Sequence, residues 1–195
     1  MNQKKKYVLV GVLLAVILLC ASLGYNTLSQ SPAAQAPSPG SVSDTAQSVA
    51  FSEAGDAASD FAVQDAQGNT VHLTDLAGKP VLINFWATWC GPCRMELPEF
   101  QSAYDSYGDR IHFMMVNLTD GFEDTVESVS AFTEENGYTF PVYFDVEGST
   151  LAPYSLSAIP VTAAVSADGT LLWTQVGALD GETLEQVISR LLEKD

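Results

Sequence analysis

Apolar and polar positions are arranged in three successive patterns along the chain. Residues 7–25 are apolar and carry no charge, and residues 26–54 thin into Ser, Pro, Ala and Gln. From residue 55 onward, short apolar runs are separated by polar turns, the pattern of a folded domain. The segments 61–63 and 70–73 flank Asp65, Gly68 and Asn69, which predicts a hairpin. Residues 75–78 read as a helical turn closed by Gly78. The stretch 81–86 is nearly continuously apolar, as in a central strand buried on both faces. A helix is expected over 92–107, interrupted at Pro98, followed by a second buried strand over 111–116. Val126, Val129 and Phe132 mark an amphipathic helix over 124–136, with Gly137 as its stop. A short apolar segment, 140–144, comes next. Residues 161–165 and 171–176 form a hairpin around 167–170, and Leu184, Val187, Ile188 and Leu191 line one face of a helix over 182–192. Parallel crossovers followed by an antiparallel pair predict an α/β fold, a mixed sheet with helices on both faces.

The N-terminal apolar run would measure about 28 Å as a helix, against a hydrocarbon core of about 30 Å. Lys4, Lys5 and Lys6 precede it and no cation follows closely, which predicts residues 1–6 in the cytoplasm and 7–25 as a transmembrane anchor. A cleaved signal peptide would want a small-x-small site just after the run, where Leu23, Gly24 and Tyr25 stand. Lipidation at Cys20 would want a small residue where Leu19 stands. The uncleaved anchor is favoured over both. With Pro32, Pro37 and Pro39 and little to bury, residues 26–54 read as a flexible tether to a domain over 55–195.

Charge narrows the function classes. Of 195 residues, 24 are acidic and 8 basic, for a net charge of −16, and three of the cations precede the apolar run. So acidic a soluble part repels phosphate backbones, which argues against nucleic-acid binding. The three cysteines are Cys20, within the apolar run, and the pair Cys90 and Cys93. A pair two residues apart in a domain of roughly 140 residues is no disulfide framework; it is redox-active or half a metal site.

The context of that pair favours redox chemistry. Trp86, Ala87, Thr88, Trp89, Cys90, Gly91, Pro92, Cys93 and Arg94 lie between the predicted central strand and the next helix. Cys90 therefore falls at a helix N-terminus, where free N–H groups and the dipole favour a thiolate. Cys93, on the first turn, is within reach to attack a mixed disulfide at Cys90. Zinc would require four ligands, and His72 and His112 stand in other elements with no second cysteine pair.

From about Gly55 to Leu192 the sequence resembles the thioredoxin superfamily, and within it the TlpA/ResA-like membrane-anchored oxidoreductases. The resemblance rests on Asp60 and Phe61, on Gly78, Lys79 and Pro80, and on the run from Phe85 to Cys93. Pro98, the segment 139–142, and Ile159 with Pro160 complete it. It implies a thioredoxin-like fold with an N-terminal hairpin extension, preceded by one transmembrane helix. Cys90 would be the attacking and Cys93 the resolving cysteine. Pro160 would be a cis-proline facing the disulfide, with the Ile159 backbone pairing to an extended client and Trp89 touching it. Glu96 matches a helix carboxylate beside the disulfide in some ResA-like members, and would relay a proton. Asn84 stands where thioredoxins proper carry a buried aspartate, so that base is missing here.

The function so implied is extracytoplasmic reduction of disulfides in client proteins, apocytochrome c among them, with electrons from a membrane-embedded thiol donor. No cofactor is expected beyond the Cys90–Cys93 couple. Two alternatives stay open at this level. One is a disulfide-forming oxidase, separated by reduction potential. The other is a tethered client-binding module that would not need the cysteines.

Overall fold

The computed structural model describes residues 55–194. The anchor expected over 7–25 and the tether over 26–54 lie outside the described residues, among which no helix is long and apolar enough to cross a membrane. Seven strands form one sheet: β1 (Ala62–Gln64), β2 (Thr70–His72), β3 (Val81–Trp86), β4 (His112–Asn117), β5 (Val142–Phe144), β6 (Val161–Val165) and β7 (Leu171–Val176). The helices are α1 (Gly91–Tyr107), α2 (Val126–Glu135) and α3 (Gly181–Glu193), with a 3-10 turn at Leu73–Leu76.

The sheet order is β2-β1-β5-β4-β3-β6-β7. β3, β4 and β5 run parallel, β6 is antiparallel to both β3 and β7, and the β1–β2 hairpin joins antiparallel to β5. Every residue of β3 and β6 is buried, whereas edge strand β7 alternates. That matches the uniform apolarity of 81–86, because a strand covered on both faces has no solvent side to show. The β1–β2 turn is held by Asp65, whose Oδ1 accepts 2.8 Å bonds from the N–H groups of Gln67 and Asn69. Asp180 caps α3 by accepting from Thr183 N–H at 2.8 Å, and α2 opens on a capping box of Thr125 and Ser128.

The expectation of helices on both faces is corrected. Leu82 and Trp86 of β3 share a core with Leu97 and Phe100 of α1, Val129 of α2, and Leu184, Val187 and Ile188 of α3. The opposite face, with Val81, Ile83 and Phe85, packs against Phe61, Leu73, Leu76, Tyr154 and Leu156, none of them in an α-helix. Handedness accounts for this. The crossovers β3–α1–β4 and β4–α2–β5 step the same way across the sheet, so right-handed connections place both helices on one face. The chain then returns from β5 to β6 through residues 145–160, which cover the other face. Two smaller differences concern the helices. α1 runs through Pro98 without a break, and α2 starts at Val126 rather than residue 124 because Asp124 is engaged elsewhere.

Candidate active site

The parallel strands β3 and β4 end at the same edge of the sheet, and the chain turns there from Trp86 into α1. Trp86 is buried and its ring lies 5.9 Å from that of Phe132, while Trp89 is 52% exposed at the rim. The turn closes with Cys90 N–H donating to the Ala87 carbonyl at 3.2 Å. Cys90 is the N-cap of α1, and Cys93 N–H donates to its Sγ at 3.2 Å. In the reduced form, a donor so placed favours the Cys90 thiolate over the thiol.

Cys90 and Cys93 are joined in a disulfide. Cys90 retains 5% of its surface, whereas Cys93 retains none. Across from it, the Ile159–Pro160 peptide bond is cis, and the Ile159 carbonyl oxygen lies 3.7 Å from Cys90 Sγ. Gly177 N–H, from the end of β7, holds the Pro160 carbonyl at 2.8 Å. Strand β6 thus brings residues 159 and 160 against a helix N-terminus about seventy positions earlier in the chain.

A buried polar group lies on the helix that carries Cys93. Glu96, one helical turn beyond Cys93, is 1% exposed. Its Oε1 accepts from Asn84 Nδ2 at 2.8 Å, and its Oε2 accepts from Leu179 N–H at 2.8 Å. Asn84 Nδ2 also donates to Thr162 Oγ1 at 3.1 Å, its cross-strand neighbour, while Asn84 Oδ1 has no partner. Burial raises the Glu96 pKa to about 7, opposed by the N–H of Leu179 and the amide of Asn84. The group can therefore exchange a proton near neutral pH.

Asp124, Thr162 and the Leu179 N–H were not singled out from the sequence. Asp124 is fully buried and accepts from Thr88 N–H at 2.8 Å, from the Thr88 hydroxyl, and from Asn117 Nδ2 at 2.7 Å. It ties the active-site turn to the loop after β4. The apolar pattern makes it only the first residue of the helix expected over 124–136, and no local signal marks it as buried. His72 pairs with Asp60 at 3.0 Å in edge strand β2, and His112 opens β4 at the far end from the cysteines. The fold brings neither histidine to the cysteine pair.

A model of the AhpC/TSA family matches residues 54–174. The chain belongs to this family. The thiol–disulfide oxidoreductase ResA of Oceanobacillus iheyensis is 38% identical to this AhpC/TSA member over 136 residues, 67% of this chain and 69% of that protein. ResA of Geobacillus thermodenitrificans is 30% identical over 185 residues, 94% of this chain and 96% of that protein. Among solved structures, a thiol:disulfide interchange protein, DsbE, from Chlorobium tepidum gives a TM-score of 0.63 at 33% identity, covering 71% of this chain and 96% of that one. StoA of Bacillus subtilis gives 0.58 at 28% identity, covering 67% and 97%. With its CxxC pair on a thioredoxin-like sheet, this AhpC/TSA member is a thiol–disulfide oxidoreductase.

Proposed function

We propose that the domain reduces disulfides in client proteins outside the cell membrane, held there by an anchor at residues 7–25. The observation that carries this reading is the placement of Cys90: N-cap of α1, bonded by Cys93 N–H, and 3.7 Å from the carbonyl of a residue preceding a cis-proline. In the dithiol form, the Cys90 thiolate attacks a client disulfide, forming a mixed disulfide and releasing one client thiolate. Cys93, deprotonated, then attacks Cys90 Sγ, releasing the second client thiolate and closing Cys90–Cys93. Two electrons pass from the dithiol to the client, and the two protons go to the client thiols. A membrane-embedded thiol donor restores the dithiol.

Each further residue has a chemical task in this scheme. Glu96 takes the Cys93 proton, directly or through water, since Asn84 cannot titrate. The Ile159 carbonyl and N–H pair with an extended client, Pro160 keeps that edge against the disulfide, and Trp89 packs on the client. The Gly91-Pro92 dipeptide resembles that of reducing thioredoxins, which favours reduction over the oxidase reading, and apocytochrome c is a client of the class implied. The test is insulin reduction with a chemical reductant as electron source. The parent is expected to be active and Cys90→Ser inactive, while Cys93→Ala accumulates client adducts through Cys90. Insulin reduction unaffected by Cys90→Ser would overturn the enzymatic assignment of the pair.

A further inference from the structure

Resting on the reading of a client-reducing enzyme, we infer that the client-docking edge continues past the disulfide to Phe122, and that it receives an extended apolar segment with cationic flanks. Phe122 is 89% exposed, the largest exposure among the large apolar residues of the described chain. Its loop is tied by a set of hydrogen bonds. Asp120 Oδ1 accepts from the N–H groups of Phe122 and Glu123 at 2.8 Å and of Asp124 at 3.0 Å, and Gly121 N–H bonds the Asp124 carbonyl at 2.9 Å. Buried Asp124 then fastens the loop to Thr88, two residues before Cys90. Pinned at both carboxylates, the loop backbone presents the Phe122 side chain to solvent next to the active-site turn. An exposed aromatic on a rigid support suits contact with a partner.

The topology sets the row on which it lies. At one edge of the sheet, in strand order, stand the Phe122 loop after β4, then Trp89 and Cys90 after β3, Ile159 before β6, and Val176 at the end of β7. Trp89 and Val176 are also exposed, at 52% and 65%. Strands lie about 4.8 Å apart, so the row spans about 14 Å, four or five residues of extended chain at about 3.3 Å each. Charge fixes the flanks of the occupant. Asp120, Glu123, Asp180 and Glu182 are exposed at this edge, and its cation, Arg94, lies over the Phe132 ring. Lysine or arginine beside the client's apolar residues is therefore matched, and acidic residues are opposed.

The test compares the full chain with Phe122→Ser on three substrates. One is hydroxyethyl disulfide, too small to reach past Cys90. The others are synthetic peptides with a central cysteine in mixed disulfide and a phenylalanine three or four residues away, flanked by lysines or by glutamates. Phe122→Ser should raise KM for the lysine-flanked peptide about five- to tenfold, leave its kcat unchanged, and leave hydroxyethyl disulfide turnover unchanged. The glutamate-flanked peptide should show a higher KM in the parent, with the gap closing at high salt. An unchanged KM in Phe122→Ser, or no preference between the flanks, overturns the inference while leaving the enzyme reading intact. Loss of hydroxyethyl disulfide turnover in Phe122→Ser would assign Phe122 to support of the active-site turn and also overturn it. Failure of the parent on all three substrates overturns the client-reducing reading itself.

Discussion

At Glu96, two N–H donors stabilise a carboxylate that burial disfavours, and burial prevails. The consequence for stability has a definite sign. Between the ordinary value of 4.5 and the raised value of about 7, the folded chain holds a proton that the unfolded chain has released. Stability therefore falls as pH rises across that window and levels off above it, by on the order of 3 kcal/mol in full. Glu96→Gln removes this slope, so its urea midpoint should overtake that of the parent between about pH 5 and pH 8. The carboxyls lowered by hydrogen bonds, Asp60, Asp65, Asp120, Asp168 and Asp180, titrate below 3.8 and do not interfere. The same variant should slow disulfide exchange several-fold and flatten its pH dependence near neutrality. Exposed Glu99→Gln is the control and should match the parent. If Glu96→Gln and the parent show parallel stability and pH–rate curves, Glu96 does not titrate in the window and relays no proton. The spacing of Glu96 from Cys93 was legible in the sequence because i,i+3 positions share a helix face. Its burial depended on Leu179, 83 residues away.

The active-site elements depend on one carboxylate that belongs to neither of them. Asp124 precedes α2, yet its bonds reach the turn between β3 and α1 and the end of β4. Removing it leaves the buried Asn117 amide and the half-buried Thr88 N–H without that acceptor. Asp124→Ala should cost about 2–4 kcal/mol in urea unfolding, while Thr125→Ala, which removes only the α2 cap, should cost about 1 kcal/mol. Equal costs would mean that Asp124 contributes no more than the neighbouring cap. Most strands and helices were readable from their periodicity, including β7 and the apolar face of α3, since each depends on side chains within one element. The start of α2 was displaced because Asp124 bonds to partners up to 36 residues away, and periodicity carries no trace of them.

For the whole molecule, the sheet separates two unequal layers. The three helices cover the side bearing the buried Glu96, and the 3-10 turn with the 145–160 return covers the other. The proposed topology sets this domain outside the cell, with Lys4, Lys5 and Lys6 inside. Protease applied to intact, wall-stripped cells should digest the domain and leave a membrane-bound fragment. Full protection, or release of a shortened soluble form into the medium, would remove the anchor from the proposal.

The amino-acid sequence alone determined the class of the fold, its strand and helix order, and the position of a CxxC pair at a strand-to-helix junction. Those features follow from short-range periodicity and from the chemistry of a helix N-terminus, both contained in a few consecutive residues. Only the tertiary structure decided which face each helix covers, because that depends on the direction in which successive crossovers step across the sheet. It alone joined Asn84 to Thr162 across 78 residues, whereas the approach of Ile159 to Cys90 across 69 was implied by the family resemblance and by nothing in the local pattern. A carboxyl's protonation, like a sulfur's access to a client, is set by the summed surroundings of distant segments, and those surroundings exist only once the strands have paired.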